Sequence, residues 1–117
     1  MASKSMGYCR GGKDKLMILS EVALGKMYEK FESEYVEKLP EGFHSTKGLG
    51  RNGPDFSNLI TLPNSVQIPV GNVINYEFSD EDKKKVCLGH NEYIVYDTSQ
   101  VRMRYLIHFS DENGRDY

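Results

Sequence analysis

The sequence predicts a mainly β, α+β domain of antiparallel sheets with little helix, and three stretches carry that prediction. In Gln100 to Phe109, Val101, Met103, Tyr105, Ile107 and Phe109 alternate with Arg102, Arg104 and His108, the period-two pattern of a half-buried strand. Just before it, His90 to Asp97 is rich in β-branched and aromatic residues that suit a pleated surface. The polar Asp97-Thr98-Ser99-Gln100 break between the two fits a tight connection, so a β-hairpin is expected. Lys15 to Leu24 is a near-continuous apolar run, which suggests a strand buried on both faces, although periodicity alone does not separate it from a helix.

Composition sets the class. With 117 residues, 38% of them hydrophobic, and a formal net charge of −2, the chain is one soluble domain or part of one. At this size roughly two-thirds of the unfolded surface can be buried, enough for a core without staples. Near-neutral charge offers no global attraction to nucleic acid or an anionic membrane. No apolar run approaches the ~18 residues of a membrane span, and no signal peptide opens the chain. Cys9 and Cys87 lie far apart without metal-ligand spacing; reduced thiols of a cytosolic or nuclear protein are the simpler reading, a single disulfide the other.

In chain order, Met1 to Asp14 is loop chemistry around Tyr8 and Cys9, apart from a short helical turn near Ser5 to Cys9. Glu21 interrupts the apolar run and needs a partner if buried. Gly25 to Lys38 is polar, with Tyr28, Phe31 and Tyr35 spaced for one helical face until Pro40; at most a short helix over Glu32 to Lys38 is expected. Glu41 to Pro63, dominated by Gly, Ser, Asn and Pro, reads as a long ordered loop. Ser65 to Val70 alternates as a short strand, with Pro69 favouring an edge. Gly71 to Lys85 returns to loop, its acidic run from Glu77 to Asp82 beside Lys83-Lys84-Lys85 forming a solvated tip. Ser110 to Tyr117 is a polar tail.

Two features test chemistry. Gly48-Leu49-Gly50-Arg51-Asn52-Gly53 matches the dinucleotide fingerprint letter for letter. That motif works only between a strand and a helix whose N-terminus meets the phosphate, and Pro54-Asp55 follows here, so turn glycines account for it better. Glu92 is the second, because alternation sets it in line with Ile94 and Tyr96. A carboxylate there is either an edge charge that discourages sheet association or a working group in a cleft. His90 has the parity of Glu92; His44 and His108 complete the histidines, and no pair has ligand spacing.

Glu21 to Gly25 with Met27-Tyr28, Lys47 to Gly50, Ile68 to Gly71, and above all Asn91 to Asp97 with Gln100-Val101 and Tyr105-Leu106 resemble the C-terminal part of the poly(ADP-ribose) polymerase catalytic domain. Ser3-Lys4-Ser5 with Tyr8-Cys9 resembles that family's nicotinamide-pocket segment. The resemblance runs in order from Ser3 to Phe109. It implies the antiparallel sheets of the ADP-ribosyltransferase fold, N-terminally truncated, with residues 1–109 as the C-terminal part of the catalytic domain and 110–117 as a polar tail.

The resemblance further implies that NAD+ is the substrate, with no metal, and that protein acceptors or a growing ADP-ribose chain receive the transferred group. Glu92 matches the catalytic glutamate that binds the nicotinamide ribose. Ser5 matches the serine that holds the carboxamide, Tyr8 the tyrosine that stacks on the ring, and Lys4 a lysine close to the glutamate. A nuclear place and a link to DNA repair follow from the family, cytoplasmic otherwise. The family's His-Gly pair and first Tyr lie upstream of the segment matching Ser3, so they are expected to be absent. His90 stands where polymer-forming members usually carry tyrosine. A catalytically inactive fragment or interaction module is the alternative, with no direct nucleic-acid site and no membrane contact in either case.

Overall fold

The computed structural model describes residues 2–10, 12–32 and 34–110. It divides into two compact units, Met1–Ala23 with Asp97–Tyr117, and Leu24–Tyr96. The tail expected from residue 110 lies outside the described residues except for Ser110, which ends a strand.

In the first unit, helix α1 (Ala2–Met6) is followed by strand β1 (Asp14–Val22), which pairs antiparallel with the last strand, β10 (Val101–Ser110). The short helix falls slightly earlier than the turn expected over Ser5 to Cys9. The pairing runs from Asp14 opposite Ser110 to Val22 opposite Val101, with a bulge where Leu19 faces Tyr105 but Ser20 faces Met103. A bulge adds one residue to one strand and shifts the alternation by one place. The five apolar residues expected on one face of β10 therefore divide at Arg104. The same bulge serves Glu21, whose carboxylate takes Arg104 at 2.9 Å and Arg102 at 4.0 Å, the partner its position in β1 demanded.

Two expectations for this unit fail. The apolar run of β1 is not buried on both faces: Ile18 is 57% exposed, and its cross-strand partner Leu106 is 68% exposed. No hairpin joins the two strands on either side of Asp97 to Gln100 either. That break is a 3-10 helix (Thr98–Gln100), in which the Asp97 carboxylate accepts from the Ser99 N–H at 2.8 Å and the Gln100 side chain accepts from the Asp97 N–H at 3.1 Å. The Gln100 amide then donates to the Ala23 carbonyl at 3.0 Å. The reciprocal cap spends these polar groups on a redirected chain instead of a two-strand turn.

The second unit holds the remaining strands: β2 (Met27–Lys30), β3 (Ser45–Gly48), β4 (Gly50–Pro54), β5 (Leu59–Thr61), β6 (Gln67–Pro69), β7 (Val73–Asn75), β8 (Leu88–His90) and β9 (Glu92–Val95), with helix α2 (Asp80–Lys85) before β8. One sheet has the order β2-β3-β9, another β7-β4-β8, and β5-β6 is a separate antiparallel ribbon. The loop expected over Glu41 to Pro63 thus contains three strands, and the loop over Gly71 to Lys85 contains β7 and α2. The helix expected over Glu32 to Lys38 is absent among the described residues, while Met27–Lys30 is a strand parallel to β3. The charged tip is a capped helix: Ser79 accepts from the Asp82 N–H, acidic residues fill the first turn, basic ones the last, and Lys85 meets Glu81 at 3.0 Å. That arrangement suits the helix dipole at both ends.

Its buried centre is small and partly polar. Val86 is 2% exposed, and Ser45 and Thr46 are buried as well. The Ser45 hydroxyl donates to the Leu24 carbonyl at 2.7 Å, and the Thr46 and Tyr96 hydroxyls share a hydrogen bond of 2.8 Å. Polar side chains are tolerated there because each finds a partner.

Candidate active site

Glu92 opens β9 and lies half-buried opposite Gly48 of β3. A side chain at position 48 would strike Leu88 and come within 3.8 Å of the Glu92 Cβ and carbonyl. Glycine there leaves room for the Leu88 side chain. The strand order explains how Glu92 comes to start a strand. Up to Gly48 the partner is β9, running antiparallel; from Gly50 it is β8, running parallel.

That reversal turns on Asn91, the single residue between β8 and β9. Its Oδ1 accepts the Gly50 N–H at 2.8 Å. A Cβ at position 50 would collide with the backbone of His90 and Asn91, so glycine is required by close approach. The dinucleotide-like glycines lie in β3 and β4 and not in the turn expected of them, and the next element is a strand, not the helix that a phosphate site needs. Asn91 also hydrogen-bonds the phenol of Tyr76, which donates to the Pro54 carbonyl at 2.9 Å. Burial holds that phenol above the usual tyrosine range, Tyr93 and Asp55 add to the effect, and the Asn91 hydrogen bond opposes it.

His90 shares parity with Glu92 but not its strand. Its Nδ1 lies 3.3 Å from the Asn52 carbonyl, in the sheet on the other side of the Asn91 break. Beyond the corner, a cavity of about 440 Å³ is bordered by Arg51, Asn75, Tyr76, Phe78 and Lys83. Its Arg51 guanidinium is held by the Val86 carbonyl at 3.0 Å.

Lys4, Ser5 and Tyr8 come together in the first unit. Lys4 and Ser5 lie on α1, and the turn continues as their carbonyls accept the N–H groups of Gly7 and Tyr8, each at 3.1 Å. Cys9 ties the turn back to β1 by donating to the Leu16 carbonyl at 3.3 Å. Tyr8 is 76% exposed, so its ring has a face available to a planar ligand. Glu92 belongs to the other unit. The cysteines are free. Among the described residues no three His, Cys, Asp or Glu side chains cluster as a metal site, and no helix is long and apolar enough to cross a membrane.

A family model described as the poly(ADP-ribose) polymerase catalytic domain matches residues 1–111. The chain belongs to this family. It is 44% identical over 110 residues to poly [ADP-ribose] polymerase 1 of Gallus gallus, covering 92% of the chain and 10% of that protein. It is 43% identical over 111 residues to poly [ADP-ribose] polymerase 2 of Homo sapiens, covering 92% and 18%. The Arabidopsis thaliana poly [ADP-ribose] polymerase 2 is 42% identical over 111 residues, at 92% and 17%. The chain thus spans less than a fifth of the length of these polymerases.

The hydrogen bonds of Asn91 to Gly50 and of Thr46 to Tyr96 were not foreseen from the sequence. Asn91 had a signal: an amide at the junction of two short β runs, where it can satisfy backbone that neither strand pairs. Thr46 and Tyr96 had none, because their contact joins distant positions.

Proposed function

We propose that the chain carries part of an NAD+ ADP-ribosyltransferase centre that modifies protein acceptors or extends an ADP-ribose chain. The match to the catalytic-domain family over residues 1–111 carries this reading. Glu92 is assigned the catalytic role. Cleavage of the bond between nicotinamide and ribose leaves the electron pair on nicotinamide and positive charge on the sugar, and a fixed carboxylate stabilises that oxocarbenium-like transition state. The acceptor oxygen then bonds to the ribose carbon as Glu92 draws off its proton, a general-base role worth about 10²–10⁴-fold. Ser5 offers a hydroxyl to the nicotinamide carboxamide and Tyr8 an exposed ring to the nicotinamide plane. Lys4, one residue before Ser5, is assigned to the same NAD+-binding segment, and a nuclear setting goes with the family.

A second reading, an interaction module without turnover, is favoured by the exposed apolar side chains of β1 and β10. Transfer of labelled ADP-ribose from NAD+ to protein decides between them. The expected result is transfer by the chain and a loss of at least about 100-fold in Glu92→Gln. Folded protein that shows no transfer in either form would favour the module.

A further inference from the structure

The carboxylate assigned to catalysis opens a strand of four residues, too short for its ladder alone to fix the strand's first side chain. What precedes it is therefore decisive. Asn91 lies between two strands whose partners run in opposite directions, and its side chain is bonded across to β4. Oδ1 takes the Gly50 N–H at 2.8 Å, and the amide also meets the Tyr76 phenol, itself anchored on the Pro54 carbonyl at 2.9 Å. Gly50 presses its bare Cα against the His90–Asn91 backbone, where any Cβ would collide. The residue before Glu92 is thus held by a side-chain hydrogen bond to β4, by a phenol after β7, and by direct backbone contact.

We propose that Asn91 is a positioning residue for Glu92: its amide, bonded to the Gly50 N–H, and its backbone, pressed against Gly50, fix where β9 begins and so where the Glu92 carboxylate is presented. The inference rests on the catalytic reading of Glu92. It adds a residue that touches neither substrate nor reacting atoms. Losing the clamp lets the first residue of β9 shift, and a displacement of about 1 Å at a reacting group costs on the order of 100-fold in rate.

The test measures nicotinamide release from NAD+ by the whole chain as wild type, Glu92→Gln, Asn91→Ala, Asn91→Asp and Tyr76→Phe. The Glu92 carboxyl ¹³C resonance, identified by its disappearance in Glu92→Gln, is recorded in the wild type and the other three variants. Asn91→Ala is expected to lower kcat about 10- to 100-fold with KM nearly unchanged, and to move or broaden the Glu92 resonance. Asn91→Asp keeps an acceptor for the Gly50 N–H and is expected to recover most of the rate. Tyr76→Phe removes one of the two contacts and is expected to cost about three- to tenfold.

An Asn91→Ala enzyme with wild-type kcat overturns the proposal, as does a loss that appears equally in thermal stability and KM with the Glu92 resonance unmoved. If Glu92→Gln turns over NAD+ as fast as wild type, the catalytic reading of Glu92 falls. The resonance then decides Asn91 by itself, and a Glu92 signal unchanged in Asn91→Ala overturns the positioning role.

Discussion

The hydroxyl pair of Thr46 and Tyr96 shows how much one contact can decide in a unit with so little buried volume. Thr46 is 5% exposed, whereas Tyr96 is 40% exposed, and their oxygens are 2.8 Å apart. Thr46→Val keeps the shape and removes the polar partner at the buried end. A stranded buried donor or acceptor costs about 1–3 kcal/mol, and the partner left behind here belongs to a residue that is not buried. The lower end of that range is therefore expected, about 1 kcal/mol by urea unfolding. Adding Tyr96→Phe removes the other hydroxyl, and the double variant should lose less than the sum of the two single losses; clear additivity would show that the pair is not coupled. Glu92 differs from these residues in kind. Its type and strand could be read in advance, but its cross-strand partner could not, since Gly48 comes opposite it only through folding.

At the scale of elements, the capped 3-10 helix makes a prediction with a definite sign. Backbone and side-chain hydrogen bonds from Ser99 hold the Asp97 carboxyl below its ordinary value of 3.8. A carboxylate whose pKa is depressed by folding contributes stability above its unfolded pKa and loses it as pH falls through the folded value. Protection of the Ser99 amide from exchange, corrected for intrinsic rates, should hold from neutral pH down to the ordinary carboxylate range and fall below it. In Asp97→Asn the acceptor remains but the titration does not, so its protection should stay flat; an equal acid loss in that variant would assign the effect to another group.

The same segment shows what was legible. The extended character of β1, β6, β9 and β10 follows from apolar content and alternation, and each is a strand. Their partners do not follow. A polar break between two strands suggests a local hairpin, yet β10 pairs with β1 at the other end of the chain and β9 pairs with β3. Strands β3 and β4, written in Ser, Thr, Lys, Gly, Arg, Asn and Pro, hold in Thr46 their one residue that favours strands. They are extended because β2, β9, β7 and β8 hydrogen-bond to them, a tertiary effect that overrides local preference.

For the whole molecule, the balance of covered and exposed apolar surface controls behaviour in solution. Among the described residues, β1 and β10 form a sheet of two strands, and ribbons of that width are marginal in water without a further layer. The bulge at Arg104 divides the apolar residues of β10 between faces, so neither face is polar throughout. Ile18 and Leu106 stand opposite each other and are both exposed, and Leu16, two residues from Ile18 on the same face, is exposed as well. Covering one large aliphatic side chain gains about 1.5–3 kcal/mol, and contiguous patches of this kind drive association. The purified chain is therefore expected to self-associate and to be poorly soluble, with a weight-average mass in sedimentation equilibrium that rises with concentration. Ile18→Lys with Leu106→Glu places opposite charges at a directly paired position, where they attract across the strands by roughly 0.2–1 kcal/mol while making the face polar. That double variant should shift the association to higher concentration without unfolding the second unit, whose Thr46–Tyr96 bond lies outside the ribbon. A clean monomer with a sharp cooperative melt, unchanged by the substitutions, would mean that the ribbon's apolar side chains do not drive association.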